Sequence, residues 1–388
     1  MYSGKTVFAQ LMESVPHYRF QQLVARYQGS KWIQSFSCWE QYLAMAFAQF
    51  TGRRSLRDIE HSLNAQRHKL YHMGFRSLVK RPTLAIANQN RDFRIYRDLA
   101  YYLIEKACPL YADEDLGLDL KNTAYALDAT TIDLSLTLFP WAEFRPTKSA
   151  VKLHTLLDLQ GSIPRFVDIT SARVHDVNIL DQILFEPGSI IIMDRGYLDF
   201  KRLYRLDRGL AFFIIRARKN LRFKRIYTNQ PAVLSDVQCD QTIRLTGVNS
   251  SQYYPDHLRR IRYKDVETGK RLIFLTNNFL LPAETIADLY RYRWQIELFF
   301  KWIKQHLHIM AFYGTSENAV KTQIWIAISV YVLVAIFKKE HGIVSSLYII
   351  LQILSVSLFE KVPILQLFKN NHCKIVTEHN HNQLSFLE

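Results

Sequence analysis

The sequence predicts a chain built in two styles, a helical N-terminal region followed by a mixed α/β domain. Three observations carry this. Residues 1 to about 112 hold short apolar-periodic segments separated by Gly and Pro. After the acidic linker "ADEDLGLDLKN" the pattern becomes three strand-like runs, then helix, strand, helix, strand. A basic, β-rich stretch from about 220 to 277 then precedes a long helix without Gly or Pro.

The N-terminal elements have readable ends. "SLRDIEHSLNAQ" opens on an N-cap at Ser55, with Asp58 and Glu60 following. "RPTLAIANQNRDFRIYRDLAYYLIEKA" predicts a helix capped at Thr83, with Arg91, Arg94 and Arg97 on a basic face. In the second region "AYALDATTIDLSL", "AVKLHTLLDLQ" and "IPRFVDITSA" are the three strands. "DVNILDQIL" is a short helix capped by Asp176, and "SIIIMDRGY" is a buried strand ending on an acid and a glycine. Phe200 to Arg208 and "AFFIIRAR" supply a further helix and strand. The expected organisation is a helical domain over 1–112, a mixed α/β domain over 113–338 and a C-terminal helical region and tail over 339–388.

The chain has 388 residues, a length that suits two or three domains, and a net charge of +15. Residues 1–100 carry 15 Lys and Arg against 6 acids, and residues 201–275 carry 17 against 6. Two basic regions around a neutral middle suit a long polyanion gripped at two surfaces. The four cysteines have no metal-type spacing and read as free thiols of a reducing compartment. "MYSGKTVFAQ" lacks the apolar core of a signal peptide. The most apolar run, Ile324 to Phe337, falls short of the ~20 residues of a bilayer span and is expected to be a core helix. "HCKIVTEHNHN", with His372, Cys373, His379 and His381, matches no common zinc spacing and reads as tail.

The segment "LYRYRWQIELFFKWIKQHLHIM" concentrates the chemistry. Ile296, Phe300, Ile303 and Leu307 make its buried face. At ~100° per residue, Tyr290, Arg293, Glu297 and Lys304 fall in one narrow stripe at the rim of that face. Taken alone, the stripe reads as a solvated face with ion pairs. Two strand acids change the balance. Asp128 lies inside the first strand, on one face with Thr130 and Ile132, and Asp194 ends the most apolar strand. Acids are disfavoured at such places by packing and by desolvation. With Glu297 they make a set of hard oxygen donors suited to Mg²⁺ or Mn²⁺, two of which can serve an in-line phosphoryl displacement. Arg293 and Lys304 would then hold phosphates, and Tyr290 would bond a phosphate or stack on a base.

This arrangement resembles the DDE transposases of bacterial insertion sequences, specifically insertion-sequence family four. The family signature (Tyr, two residues, Arg, three residues, Glu, six residues, Lys) is complete as Tyr290, Arg293, Glu297 and Lys304. "YALDATTIDLSL" matches the first acid, "MDRGY" the second, and "FYGTSENAV" is also similar. The resemblance covers residues 120–330 clearly and the N-terminal region more loosely. It implies a ribonuclease-H-like mixed-sheet catalytic domain with a β-rich insertion between Asp194 and Glu297, preceded by a helical DNA-binding domain. It further implies metal-dependent cleavage at transposon ends, a hairpin intermediate, strand transfer into target DNA, a homodimer on double-stranded DNA, and a cytoplasmic, nucleoid-associated protein with no membrane partner. Better-known members hold a flipped base with a Trp of the insertion. None lies between Trp141 and Trp294 here, and Tyr253 or Tyr254 are the candidate substitutes. Two other classes remain: a non-catalytic DNA-binding repressor descended from a transposase, and a structure-specific nuclease that cuts without strand transfer.

Overall fold

The computed structural model describes residues 4–31, 33, 35–120, 122–218, 220–229, 236–265, 269–306 and 312–369. Leu307, the end of the predicted helix at Met310 and the histidine-rich tail with Cys373 lie outside them. Two compact units emerge, one of residues 1–103 with 325–388 and one of residues 104–324.

In the first unit the helix Cys38–Phe50 is buried along nearly its whole length. Its N-terminus carries a capping box, in which Ser37 accepts the Glu40 amide and Glu40 accepts the Ser37 amide. Ser55 caps the helix Leu56–Ala65, as its sequence predicts. The segment predicted as one helix from Thr83 is instead two, Arg81–Asn90 and Arg94–Tyr111. Pro82 starts the first, which moves Thr83 inside it. The basic face expected there is largely neutralised. Arg91 turns inward to the carbonyls of Phe36 and Ser37 and to Gln41, Arg94 pairs with Asp92, and Arg97 pairs with Asp98. A run of exposed cations in this unit lies earlier, at Arg54, Arg57, Arg67, Arg76, Lys80 and Arg81. Residues 325–369 pack into the same core. The Val7 amide bonds Glu360, Gln10 bonds Val362 and Ile364, Tyr42 bonds Ser329, and the Phe47 ring meets Phe359. The helix Glu317–Glu340 is long and apolar enough to cross a membrane, and its most apolar window is almost wholly buried inside the protein.

The second unit is organised by one ten-stranded sheet: β1 (Ala124–Leu134), β2 (Glu143–Arg145), β3 (Lys148–Asp158), β4 (Ile163–Ser171), β5 (Ile190–Met193), β6 (Phe212–Arg216), β7 (Phe223–Asn229), β8 (Val237–Leu245), β9 (Leu258–Lys264) and β10 (Arg271–Thr276). The three sequence-predicted strands are β1, β3 and β4, joined as antiparallel neighbours. β5 pairs parallel with β1, and β6 parallel with β5. The order β4-β3-β1-β5-β6, with this mixture of directions, is the ribonuclease-H-like arrangement. The short strand β2 carries too few residues for a periodic signal. The stretch from 220 to 277 supplies β7 to β10, which continue the same sheet from β6 through β10, β9 and β8 to β7. A continuous sheet results because β10 pairs antiparallel with β6 along the edge β5 leaves free.

Arg259 locks this second half. It grips Asp240 with two hydrogen bonds of 2.9 and 2.8 Å and holds the carbonyls of Asn278 and Leu281. Both partners of the pair are buried. The carbonyls belong to the turn that leads into the helix Ala283–Tyr292, so the insertion fixes where that helix begins.

Candidate active site

Asp128 and Asp194 are neighbours by register. Leu127 pairs with Met193 at the last rung of the parallel ladder; Asp128 is the next residue of β1 and Asp194 the first residue past β5. Burial on both faces of β5 explains the apolar run that leads to Asp194. The side chain of Asp194 also caps the following turn, accepting the Gly196 amide at 2.6 Å. The cap uses Oδ1 only.

The predicted continuous helix is interrupted at its most important residue. Helices Ala283–Tyr292 and Trp294–His306 meet at Arg293, where the backbone tightens to bonds from the Arg293 amide to Tyr290 and from the Ile296 amide to Arg293. Ile296, Phe300 and Ile303 are buried as expected. Tyr292 anchors the junction through its hydroxyl, which donates to the Leu116 carbonyl.

Arg293 joins two of the three acids. One amino group lies 3.0 Å from Asp128 Oδ2 and the other 2.6 Å from Glu297 Oε1. The side chains of Arg293 and Asp128 are 19% and 21% exposed, that of Glu297 59%. Lys304 donates to the Thr131 carbonyl at 2.7 Å, which ties the helix to β1 a second time. Tyr290 packs its ring on Phe274 with centroids 4.6 Å apart, and the Arg293 guanidinium lies 5.8 Å from the Tyr290 ring centroid. Tyr290, Arg293 and Glu297 are thus linked by contact, while Lys304 is engaged separately on β1. Among the described residues no three of the His, Cys, Asp and Glu side chains converge closely enough to hold a metal ion.

The electrostatics show a site short of cation. Burial pushes the Asp128 carboxyl up to about 6, although the Ala129 amide and Arg293 pull it down; Asp194 and Glu297 add to the rise. The Tyr290 hydroxyl is raised by burial, against the pull of Arg293 and Arg216. Burial lowers Lys304, with Asp133 opposing. Arg293 is held above its ordinary value although burial works the other way, because Tyr290, Asp128 and Glu297 surround it.

A further polar group beside Asp128 was not singled out as functional from the sequence. Tyr197, three residues beyond Asp194, is buried, and its hydroxyl has no hydrogen-bond partner among the described residues. Burial raises it first, then the charges of Asp128, Asp176 and Asp194. Asp176, expected as a helix cap, makes no cap. It is the first residue of a short 3₁₀ turn, and its carboxylate lies 2.9 Å from Lys152 Nζ. The lysine on β3 outcompetes the local amides for that carboxylate. Tyr254, a candidate base-holding aromatic, is a core residue that donates to Asp207 at 2.6 Å, whereas Tyr253 is exposed.

Comparison with known proteins agrees with this geometry. The transposase DDE domain family matches residues 120–333, and a domain of unknown function (DUF4372) matches residues 3–76. The chain is 36% identical over 221 residues to a putative transposase, y4zB, of Sinorhizobium fredii, an alignment covering 56% of this chain and 61% of the relative. It is 34% identical over 209 residues to a probable transposase for insertion sequence element IS5377 of Geobacillus stearothermophilus, covering 53% and 54%. A putative transposase for insertion sequence element IS4SA of a Synechocystis strain is 23% identical over 266 residues, covering 67% and 73%. The chain thus spans just over half the length of the first two relatives. With a matched segment that holds both strand acids, Glu297 and the whole of the sheet, the chain belongs to the transposase DDE domain family.

Proposed function

We propose that this protein is a DNA transposase of the insertion-sequence type, similar to family four, that cleaves transposon ends and joins them to target DNA. The observation that carries the proposal is that Asp128 and Asp194 follow the last rung of the β1–β5 ladder, with Arg293 bridging Asp128 to Glu297. Asp128 and Asp194 supply neighbouring oxygen donors of the kind that suits a hard divalent cation, and Glu297 would complete the set once Arg293 releases it. Asp128, Asp194 and Glu297 would hold Mg²⁺ or Mn²⁺, two ions in the fullest form. Bound there, the ions would supply charge neutralisation and an activated oxygen nucleophile.

The chain's own residues do the remaining work. Tyr290 and Arg293 orient the phosphodiester, Lys304 sets the helix against β1, and Tyr253 is the exposed aromatic available to a displaced base. A first water cuts one strand. The freed 3′-OH attacks the opposite strand to leave a hairpin, a second water opens it, and the 3′-OH joins the target. DNA is held by the exposed cations at Arg54 to Arg81 and by Lys224 and Arg225 of β7. The acting form is a homodimer on two paired ends, within the cytoplasm at the nucleoid.

The test is incubation of the full chain with the DNA flanking its element in Mg²⁺ or Mn²⁺, followed by denaturing gels. Nicked ends, hairpins and joined products are expected. Nicks without any hairpin or joined product under either metal would replace this proposal with a nuclease. Binding without any cleavage would replace it with a repressor.

A further inference from the structure

Arg293 sits where the site calls for a cation. Its pairing with Glu297 is an ordinary contact between residues four apart on a helical path. Its pairing with Asp128 is not, since that acid lies on a strand far away in sequence. One guanidinium is thereby divided between two carboxylates, and its buried Nε has no partner among the described residues. Shared in this way, the guanidinium gives each carboxylate a single charged hydrogen bond, a looser grip than the two-pronged clamp of Arg259 on Asp240. Arg293 neutralises two of the three acids proposed to hold metal, and it lies in the space between them.

A guanidinium and a divalent cation compete for the same oxygens. A phosphodiester, in contrast, offers the guanidinium a two-toothed anionic partner. We propose that Arg293 is the counter-ion of the metal-free site and transfers to a DNA phosphate when the strand arrives, so that the acids load metal tightly only with DNA in place. This rests on the assignment of the three acids as metal ligands. Linkage makes the effect reciprocal, so metal tightens DNA binding by the same factor.

The experiment is Mn²⁺ titration of the full chain, read by the paramagnetic resonance of free Mn²⁺, with and without a duplex of the element's end. Without DNA, Arg293→Gln should bind Mn²⁺ tighter than wild type by about ten-fold or more, the scale of one charged hydrogen bond removed from competition. Arg293→Lys, which keeps the charge, should stay near wild type. On adding DNA, wild type should tighten and Arg293→Gln should change little. The proposal is overturned if Arg293→Gln binds no tighter than wild type, if the Lys variant matches the Gln variant, or if wild type is indifferent to DNA. Circular dichroism checks that each variant is folded. Asp128→Asn and Glu297→Gln separate the two levels of inference. If they weaken Mn²⁺ binding while Arg293→Gln has no effect, only the counter-ion role falls. If they leave binding untouched, the assignment of the acids falls with it.

Discussion

The two halves of the sheet do different jobs with the same secondary structure. β5 is four apolar residues buried on both faces between parallel neighbours, and it delivers Asp194 beside Asp128. β7, the outermost strand at the other end, exposes Lys224, Arg225, Ile226 and Tyr227 and pairs on one side only. A strand packed on every side can hold a carboxylate at a fixed place, at the expense of desolvating it. A strand with an open face can present cations to a polyanion, and charge at such an edge also discourages pairing with other chains. The first half fixes the place of a carboxylate, and the second exposes cations at its edge.

The sharpest way to break the contrast is to remove the acids. Asp128→Ala, Asp194→Ala or Glu297→Ala should each lower cleavage by several orders of magnitude while DNA binding survives. Cleavage and filter-binding assays on the same preparations measure both. An acid whose loss leaves near-normal cleavage in Mg²⁺ does not belong to the site.

Next comes the clamp of the second half. Arg259→Ala leaves Asp240 buried without its partner, at a cost of about 3–5 kcal/mol in urea unfolding. A loss under about 1 kcal/mol would mean that the insertion is held by its ladder alone.

Asp128 gives a smaller, pH-dependent effect. Its folded value of about 6 lies above the 3.8 of an unpaired carboxyl. The folded state therefore binds this proton more tightly. The stabilisation it brings is fully present below pH 3.8 and is lost as the pH rises through 6. At pH 7 the ionised group is a burden, so Asp128→Asn should stabilise the protein there by roughly 2–3 kcal/mol, with little gain at pH 4. Thermal melts at the two pH values decide the matter, and equal melting shifts at both would refute it.

The smallest structural effect belongs to the exposed strand. Lys224→Ala and Arg225→Ala should change stability by less than about 0.5 kcal/mol. Each should still flatten the dependence of log affinity on log salt by about 0.9 if it neutralises a phosphate. An unchanged slope would remove β7 from the DNA-facing surface.

The N-terminal unit sets a condition on any fragment experiment. Residues 1–112 alone would lack Ser329, Phe359, Glu360 and Val362, which satisfy or cover groups of the first helices. Tests of end recognition therefore call for the full chain.

Local chemistry wrote much of this protein into its sequence. An apolar run ending in Asp marked β5 and Asp194, β-rich runs between turn signals marked β1, β3 and β4, and Ser55 capped the start of its helix with its own side chain. The spacing of Tyr290, Arg293, Glu297 and Lys304 on a helical path named the residues of the candidate site. Pairing across long distances was decided only by the tertiary structure. Nothing local says that β10 joins β6, that Lys152 reaches Asp176, that Arg91 turns inward to Phe36, Ser37 and Gln41, or that Arg293 reaches Asp128 as well as Glu297. The physical reason is that periodicity and capping depend on neighbours within a few residues. The partner of a charge is whichever opposite charge the folded chain brings within hydrogen-bonding reach, and burial then sets what that pairing is worth.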